Sequence, residues 1–545
     1  MMLTPWLAHY PSSIPSTVDM THYHSLIHFM EEAFANHKGL PMYENMGKVL
    51  TFDRVDKLSK DFAAYLQKYT NLIVGARVAI QLPNLLQYPI VVLGMLRAGL
   101  VVVNINPQYT AHEMAEQLKD AGVAAIVILE NFAHKLVEIL PDTTIETVIV
   151  TKVGDLLGSV KGKILNFAIR HIKKLVPSYH LPQAISFKEV LSKGKKGVFQ
   201  PVSLTLSDTA FLQYTGGTTG ISKAAMLSHG NLIANFLQMD PIIRLFLKEK
   251  IERIAMPLPF YHIFGLSGLF VMAKLGAKSF LITNPRDIPK FVKELWKSKP
   301  TCLIGINTLF EKLLANKKFR KLNFSFLKLT VAGGMKTLLN VKNEWEGLTN
   351  SKLLEGYGLT ECSPCIATDI IDGRHHMPLS NTLVRIADEI GNEVPYGIVG
   401  ELLVKGPQVI QSYWKKSIET AEAFMDGWFK TGDLATMDQR GFITIVDRKK
   451  DMINVSGFNV YPNEIEQVLQ GHPKVLEVGA IGIEDVSLKE VIKVCIVKKD
   501  ATLTAEEIIA YCKEKMTRYK IPKYVEFWNS LPKSPIGKVL RRLLK

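Results

Sequence analysis

Cysteine is scarce in this chain, five in 545 residues. So few thiols over such a length exclude a disulfide framework and fit a reducing compartment. Long apolar runs are missing too. The most apolar stretch, residues 89–103, contains Arg97 and is shorter than the ~20 residues a bilayer span needs. The opening MMLTPWLAHYPSSIPS lacks a basic patch followed by an apolar run, so no secretory leader is read there. Cytoplasmic residence is the expectation. The 37 glycines keep no period of three, which excludes collagen-like repeats. Acidic residues are in deficit: 51 Asp and Glu against 66 Lys and Arg leave +15. The rest is ordinary for a globular protein, 47% hydrophobic and 21% charged, and excludes a largely disordered chain. The length suggests about three or four domains.

A surplus of Lys and Arg attracts nucleic acid, anionic lipid or acidic metabolites. No zinc-finger spacing, basic zipper or RNP-like motif favours nucleic acid. One segment favours lipid. Residues 160–176 read VKGKILNFAIRHIKKLV. Val160, Ile164, Leu165, Ala168, Ile172 and Leu175 recur at helical spacing, with Lys161, Lys163, Arg170, Lys173 and Lys174 among them. Such a helix can lie in the membrane interface on the inner face, or pack on its own domain.

Short apolar runs alternate with helix-like stretches. Residues 77–82, 100–105, 123–129, 147–151, 301–306 and 327–332 read as strands. Thr110-Ala-His-Glu113 has capping-box form and should open a helix. This alternation predicts parallel-rich sheets flanked by helices. After the charged run Asp447-Arg-Lys-Lys-Asp451 the character changes. Beyond it lie β-rich stretches (478–483, 491–497) and one helix, 504–516. A boundary near 450 is expected, with domains 1–449 and 450–545.

Residues 214–229 read YTGGTTGISKAAMLSH. Gly216, Gly217 and Gly220 let backbone N–H groups close on an anion. Thr215, Thr218, Thr219 and Ser222 can donate to phosphate oxygens, and Lys223 adds charge. A Walker A loop needs Gly-Lys-Ser/Thr in sequence, whereas Lys223 stands three after Gly220. The string resembles the phosphate loop of the acyl-adenylate-forming superfamily. Further motifs follow in the same order: PLPFYHIFG (257–265), VAGG (331–334), EGYGLTE (355–361), WFKTGD (428–433), DRKKDMINVSGFNVYP (447–462) and LPKSPIGK (531–538). PNLLQYP, ITNPRDIP and FNVYPNEIE make the chain most similar to bacterial long-chain fatty-acid–CoA ligases. Three departures stand out: Ala224 after the loop lysine, GRHHMP (373–378) where the family carries a Gly-rich stretch, and Lys489-Glu490 for a Gly-Glu.

The resemblance implies an α/β fold. It has a large N-terminal nucleotide and acyl domain with a β-barrel-like subdomain, and a small mobile α+β C-terminal domain. It implies ATP-dependent ligation of a long-chain fatty acid to coenzyme A, through acyl-AMP. Thr215 to Lys223 would cradle phosphates, Gly333 and Gly334 would leave room for adenine, and Tyr357 would lie on it. Thr360 would donate to the α-phosphate, and Glu361 would hold Mg²⁺. Asp433 would accept from both ribose hydroxyls, and Arg448 would reach the ribose or phosphate. Lys538 would bridge the substrate carboxylate and the α-phosphate. His262 would border the acyl carboxylate and the thiol path. Lys450 would be the hinge that exchanges the Lys538 loop for the Ser456-Gly457 turn. Cys362 and Cys365 form C-x-x-C but lack a second pair, and read as packing. The apolar runs 231–239 and 266–275 are candidates for core or acyl tunnel. The implied partners are fatty acid, ATP, CoA and a peripheral membrane surface, with no nucleic acid; a homodimer stays open. The alternatives are a ligase that hands acyl-AMP to a carrier protein, a non-catalytic lipid-binding relative, and a ligase for aryl acids.

Overall fold

The computed structural model describes residues 4–215, 222–455, 458–485, 489–534 and 537–545. Among these described residues the strands form four sheets. The seven-stranded sheet runs Ile185–Ser186, Thr147–Thr151, Ala125–Leu129, Arg77–Gln81, Val101–Asn104, Thr209–Thr215, Lys223–Ser228 in space. All its pairs are parallel except the last, where Thr215 faces Lys223 in an antiparallel hairpin. These strands are rich in Val and Ile because helices cover both faces, as parallel sheets require.

The nine-stranded sheet is parallel at its centre. Arg253–Met256, Cys302–Gly305, Leu329–Gly333 and Lys352–Gly358 lie side by side in register. Antiparallel strands close both of its edges. One apolar core joins the two sheets. Helix Gln87–Arg97, taken from the most apolar stretch, is wholly buried there. Its Arg97 donates to Glu31 (2.9 Å), Asp56 (2.6 Å) and Ser59 (3.1 Å). Among the described residues no helix is long and apolar enough to cross a membrane.

Where the resemblance leads to a β-barrel-like subdomain, the third sheet is a five-stranded antiparallel sheet containing Trp428–Met437 and Ile443–Arg448, and its described strands do not close into a barrel. The fourth joins Phe458–Val460, Ile453–Val455, Lys489–Lys498, Val475–Asp485 and Tyr524–Trp528. Helices Pro462–Gln470 and Ala505–Lys515 accompany it, an α+β unit with its own core.

Local chemistry explains the element starts. Thr110 Oγ1 accepts from the Glu113 N–H (3.2 Å) and Glu113 accepts from the Thr110 N–H (2.8 Å), so both halves of the capping box form ahead of helix Ala111–Ala121. The segment after residue 158 is helical over Ser159–Phe167 and continues as a π turn, Ala168–Ile172. Gly162 and Ile169 face inward, whereas Val160, Ile164, Phe167, Ile172 and Leu175 are each more than half exposed.

Candidate active site

One continuous cavity is lined by residues from all four sheets, among them Asn104, Gln213, Tyr357, Asp433 and Val478. Parallel strands deliver their last residues there, where loops can hold a ligand beyond the carboxyl ends.

Lys538 enters the cavity from a tight turn. The Gly537 N–H donates to Ser534 O (2.8 Å), the Ser534 N–H to Lys538 O (2.7 Å), and the Lys538 N–H to Ser534 Oγ (3.1 Å). Gly537 has φ +81°, and a Cβ on it would stand 2.5 Å from Thr308 Oγ1. Glycine is therefore what lets the lysine turn seat on the start of helix Asn307–Leu314. Burial, then the charge of Arg448, push the Lys538 ammonium down to about 8, while Asp433 pulls it upward.

Strand Trp428–Met437 and its neighbour Ile443–Arg448 set Asp433 opposite Arg448. Asp433 Oδ1 pairs with Arg448 Nε at 2.8 Å, and Oδ2 accepts from the Tyr357 hydroxyl at 2.6 Å. Burial raises the Asp433 carboxyl above its ordinary range, and Arg448 opposes that. Strand Leu329–Gly333 ends beside Tyr357. There a Cβ on Gly333 would press Phe264 at 3.0 Å, and Gly334 has φ +77°. Both glycines keep the wall thin.

Glu361 lies in the 3₁₀ turn Thr360–Cys362. Its Oε1 accepts from the Tyr413 hydroxyl at 2.8 Å, and the Lys223 ammonium stands 5.5 Å from the Tyr413 ring. Tyr413 thus ties the loop lysine to the carboxylate. Sequence reasoning missed it, because a tyrosine in QSYWKK carries no chemical signature of its own. Thr215 Oγ1 donates to Lys223 O (3.3 Å) across the hairpin. Gly216, Gly217, Thr218, Thr219 and Gly220 lie outside the described residues, as do Ser456 and Gly457.

His262 caps helix Ile263–Lys274, its Nδ1 accepting from the Phe264 N–H (3.3 Å). That bond leaves the ring proton on Nε2. Burial and the nearby Lys538 charge push the imidazole down to about 4, so it is neutral at pH 7. Lys450 sits in the 3₁₀ turn Lys449–Asp451, its ammonium lowered by burial. Cys362 and Cys365 are buried with thiols pushed up by burial, Cys365 to about 12. Among the described residues no group of three or more His, Cys, Asp or Glu could hold a metal ion alone. Met239, Ile243, Gly268, Val271 and Met272 of helices His229–Arg244 and Ile263–Lys274 line the cavity as its apolar arm, alongside the polar Asn235 and Ser267 of the same helices.

A family model described as AMP-binding enzyme matches residues 30–414, and one for the AMP-binding enzyme C-terminal domain matches 464–538. A long-chain-fatty-acid–CoA ligase of Escherichia coli O6:H1 is 48% identical, covering 99% of this chain and 97% of its own. The ligase of the same description from Haemophilus influenzae is 45% identical, covering 99% and 98%. The solved structure of ATP-bound MatB from Rhodopseudomonas palustris superposes with a TM-score of 0.82 at 27% identity, covering 95% of this chain and 98% of its own. On this match the chain belongs to the AMP-binding enzyme family, within its long-chain-fatty-acid–CoA ligases.

Proposed function

We infer that this chain activates long-chain fatty acids in two steps. Acid and ATP give acyl-AMP and pyrophosphate; acyl-AMP and CoA then give the thioester and AMP. The observation that carries the reading is convergence. Lys538, the Asp433–Arg448–Tyr357 cluster, and the Lys223–Tyr413–Glu361 group line one cavity with an apolar arm.

A carboxylate is inert because oxide is a poor leaving group. Attack on the α-phosphorus replaces oxide by AMP, and the obstacle is repulsion among anions. Lys538 holds the acid's carboxylate against the α-phosphate, and Thr360 donates to the same phosphate. Lys223, with the loop 215–220, neutralises the outer phosphates. Asp433 accepts from the ribose hydroxyls, its orientation locked by Arg448 and Tyr357. Adenine lies against Tyr357, in the space left by Gly333 and Gly334. His262, neutral, borders the acid's carboxylate and the thiol's path.

Mg²⁺ fits the donor set: Glu361 keeps one carboxylate oxygen beyond its bond to Tyr413, and Mg²⁺ takes one or two carboxylates plus substrate phosphates and waters. When bound, it shields the charge of the phosphate oxygens.

The acyl tail fills the arm beside Met239, Val271 and Met272, where each buried CH₂ contributes ~0.8 kcal/mol. For the second step, residues 450–545 turn about Lys450, withdrawing Lys538 from the cavity and bringing the segment after Val455 to the thiol. A membrane surface on the cytoplasmic side is a further partner, met by the exposed apolar side chains of helix Ser159–Phe167 and its π turn.

The test is a series from hexanoate to eicosanoate, scoring pyrophosphate and thioester separately. Pyrophosphate release with ATP and Mg²⁺, and thioester only when CoA is added, both strongest with long acids, are the expected results. No pyrophosphate with any acid would sink the reading. Pyrophosphate without thioester would make the chain a donor to a carrier protein.

A further inference from the structure

Lys223 and Glu361 carry opposite charges and line the same cavity, yet they do not pair. Among the described residues neither of them forms an ion pair; both are engaged by Tyr413 instead. The tyrosine hydroxyl donates to Glu361 Oε1 at 2.8 Å, and the Lys223 ammonium stands 5.5 Å from the centre of its ring, within reach of a cation–π contact. The residue is buried, only 8% exposed.

The backbone fixes Tyr413 against both partners. The Trp414 N–H donates to Ala224 O (2.9 Å) and the Met226 N–H to Ser412 O (3.2 Å). The segment therefore lies antiparallel to strand Lys223–Ser228, with Ala225 opposite Tyr413. The Ile410 N–H donates to Glu361 O (2.9 Å), which ties the same segment to the turn Thr360–Cys362. On the outer side, the Tyr413 N–H donates to Thr420 Oγ1 (3.0 Å) and the Trp414 indole N–H to Asp120 O (3.1 Å). One short stretch, residues 410–414, spans the lysine strand and the carboxylate turn.

Unlike charges attract more strongly as water is excluded. A lysine and a glutamate in such a site tend to pair, and each is then withheld from the ligand. The outer phosphates need the lysine's charge, and a divalent cation needs a carboxylate oxygen. A direct Lys223–Glu361 pair would serve neither. Tyr413 gives each ion a milder partner: a neutral O–H for one carboxylate oxygen and a ring face for the ammonium. We propose that Tyr413 is a positioning residue, a spacer that keeps Lys223 and Glu361 apart and presents the second Glu361 oxygen to the divalent ion accompanying ATP. The inference rests on the adenylation reading and on the Mg²⁺ role it gives Glu361.

Calorimetric binding of α,β-methylene-ATP to the full-length protein tests this, without metal and with saturating Mn²⁺ as the probe ion. In the wild type the metal should tighten the nucleotide. Tyr413→Phe keeps the ring for Lys223 and removes only the hydroxyl. Its metal-free affinity should match the wild type's, while the tightening by Mn²⁺ should shrink about tenfold, the effect of losing one hydrogen bond to a charged group. In a Glu361→Gln background, Tyr413→Phe should change nothing further, because the hydroxyl acts through that carboxylate. Tyr413→Leu removes the ring as well and lets Lys223 turn onto Glu361. Metal-free affinity should then fall about tenfold, and it should recover when Glu361→Gln is added, since the lysine has no carboxylate left to pair with. Undiminished tightening by Mn²⁺ in Tyr413→Phe overturns the proposal. So does an equal loss with and without metal, the mark of a merely structural role, and so does a Tyr413→Leu loss that Glu361→Gln does not rescue. A wild type that binds nucleotide equally with and without Mn²⁺ overturns it too, leaving the adenylation reading in place. A wild type that binds no nucleotide at all removes that reading, and the spacer with it.

Discussion

The role proposed for Lys538 needs its charge where water is scarce, and its neighbours pull in both directions. Burial and Arg448 lower its ammonium to about 8, and Asp433 opposes them. The cation is present below that value and is lost as pH rises through it. For the adenylation half-reaction, kcat/KM for ATP should therefore fall above pH 8, because that parameter reports the free enzyme. A profile flat to pH 10 would mean that the charge of Lys538 is not needed. Lys538→Ala should cut adenylation by about 100- to 1000-fold, the usual loss for one positioned transition-state donor. It should leave thioester formation from supplied acyl-AMP intact; equal loss of both steps would refute the role. Lys538, Glu361, Asp433 and Arg448 are singled out by the motifs of the resemblance, and the structure places all four along one cavity. Tyr413 carries no such mark: its partner Glu361 lies 52 residues away in the chain, and spacing alone does not reveal a fold-dependent contact.

Secondary elements were legible where the hydrophobic period was unbroken. Thr147–Thr151 is the strand that residues 147–151 predict, and Ala505–Lys515 lies inside the helix expected over 504–516. Most ends differ by one or two residues, where turns and caps decide; the stretch expected from 478 begins three residues earlier, at Val475. The basic segment 160–176 shows what periodicity leaves open: it marks a two-faced helix, not the face that packs. Backbone contact makes that choice. A Cβ on Gly162 would lie 2.2 Å from Gly154 O, and Asn166 Oδ1 accepts from the Gly154 N–H at 2.7 Å. The glycine side is pressed onto the domain, so Val160, Ile164 and Phe167 point outward. Lys161 donates to Met46 O and Arg170 pairs with Glu130 at 3.6 Å, leaving Lys163, Lys173 and Lys174 exposed beside the apolar side chains. Wild-type protein should sediment with phosphatidylglycerol vesicles. Lys163→Glu, Lys173→Glu and Lys174→Glu together should lower partitioning about a hundredfold, at ~1 kcal/mol per lysine removed. Ile164→Asp with Phe167→Asp should also release the protein while sparing ligation of a soluble acid. Unchanged sedimentation in both variants would remove the lipid contact.

At the scale of the whole molecule, the arrangement sets Lys538 in the cavity near Arg448 and Asp433, and polar contacts among the described residues help to hold it. Arg541 donates to Asp447 (3.0 Å), on the N-terminal side of Lys450, and to Asp451 (3.1 Å) and Glu466 (2.7 Å) beyond it. Asp447 also accepts from the Asn463 N–H (2.7 Å), and Asn463 Nδ2 donates to Val446 O (3.1 Å). Gly537 also approaches Thr308 closely. Turning residues 450–545 would break the Asp447, Val446 and Thr308 contacts while keeping Arg541 on Asp451 and Glu466. Separation breaks the buried Arg541–Asp447 pair, so water must take over as partner of the Asp447 carboxylate. On the proposed swing about Lys450, the backbone change falls on a few residues of the 3₁₀ turn Lys449–Asp451. Proline is accepted in the first turn of a helix, so Lys450→Pro is compatible with the present arrangement, but it fixes φ near −65° and prevents the swing. Pyrophosphate release should stay near wild type, while thioester formation from supplied acyl-AMP should fall by at least tenfold. If both rates survive, the pivot lies elsewhere in the chain. If both collapse together, the turn supports the fold and not the exchange.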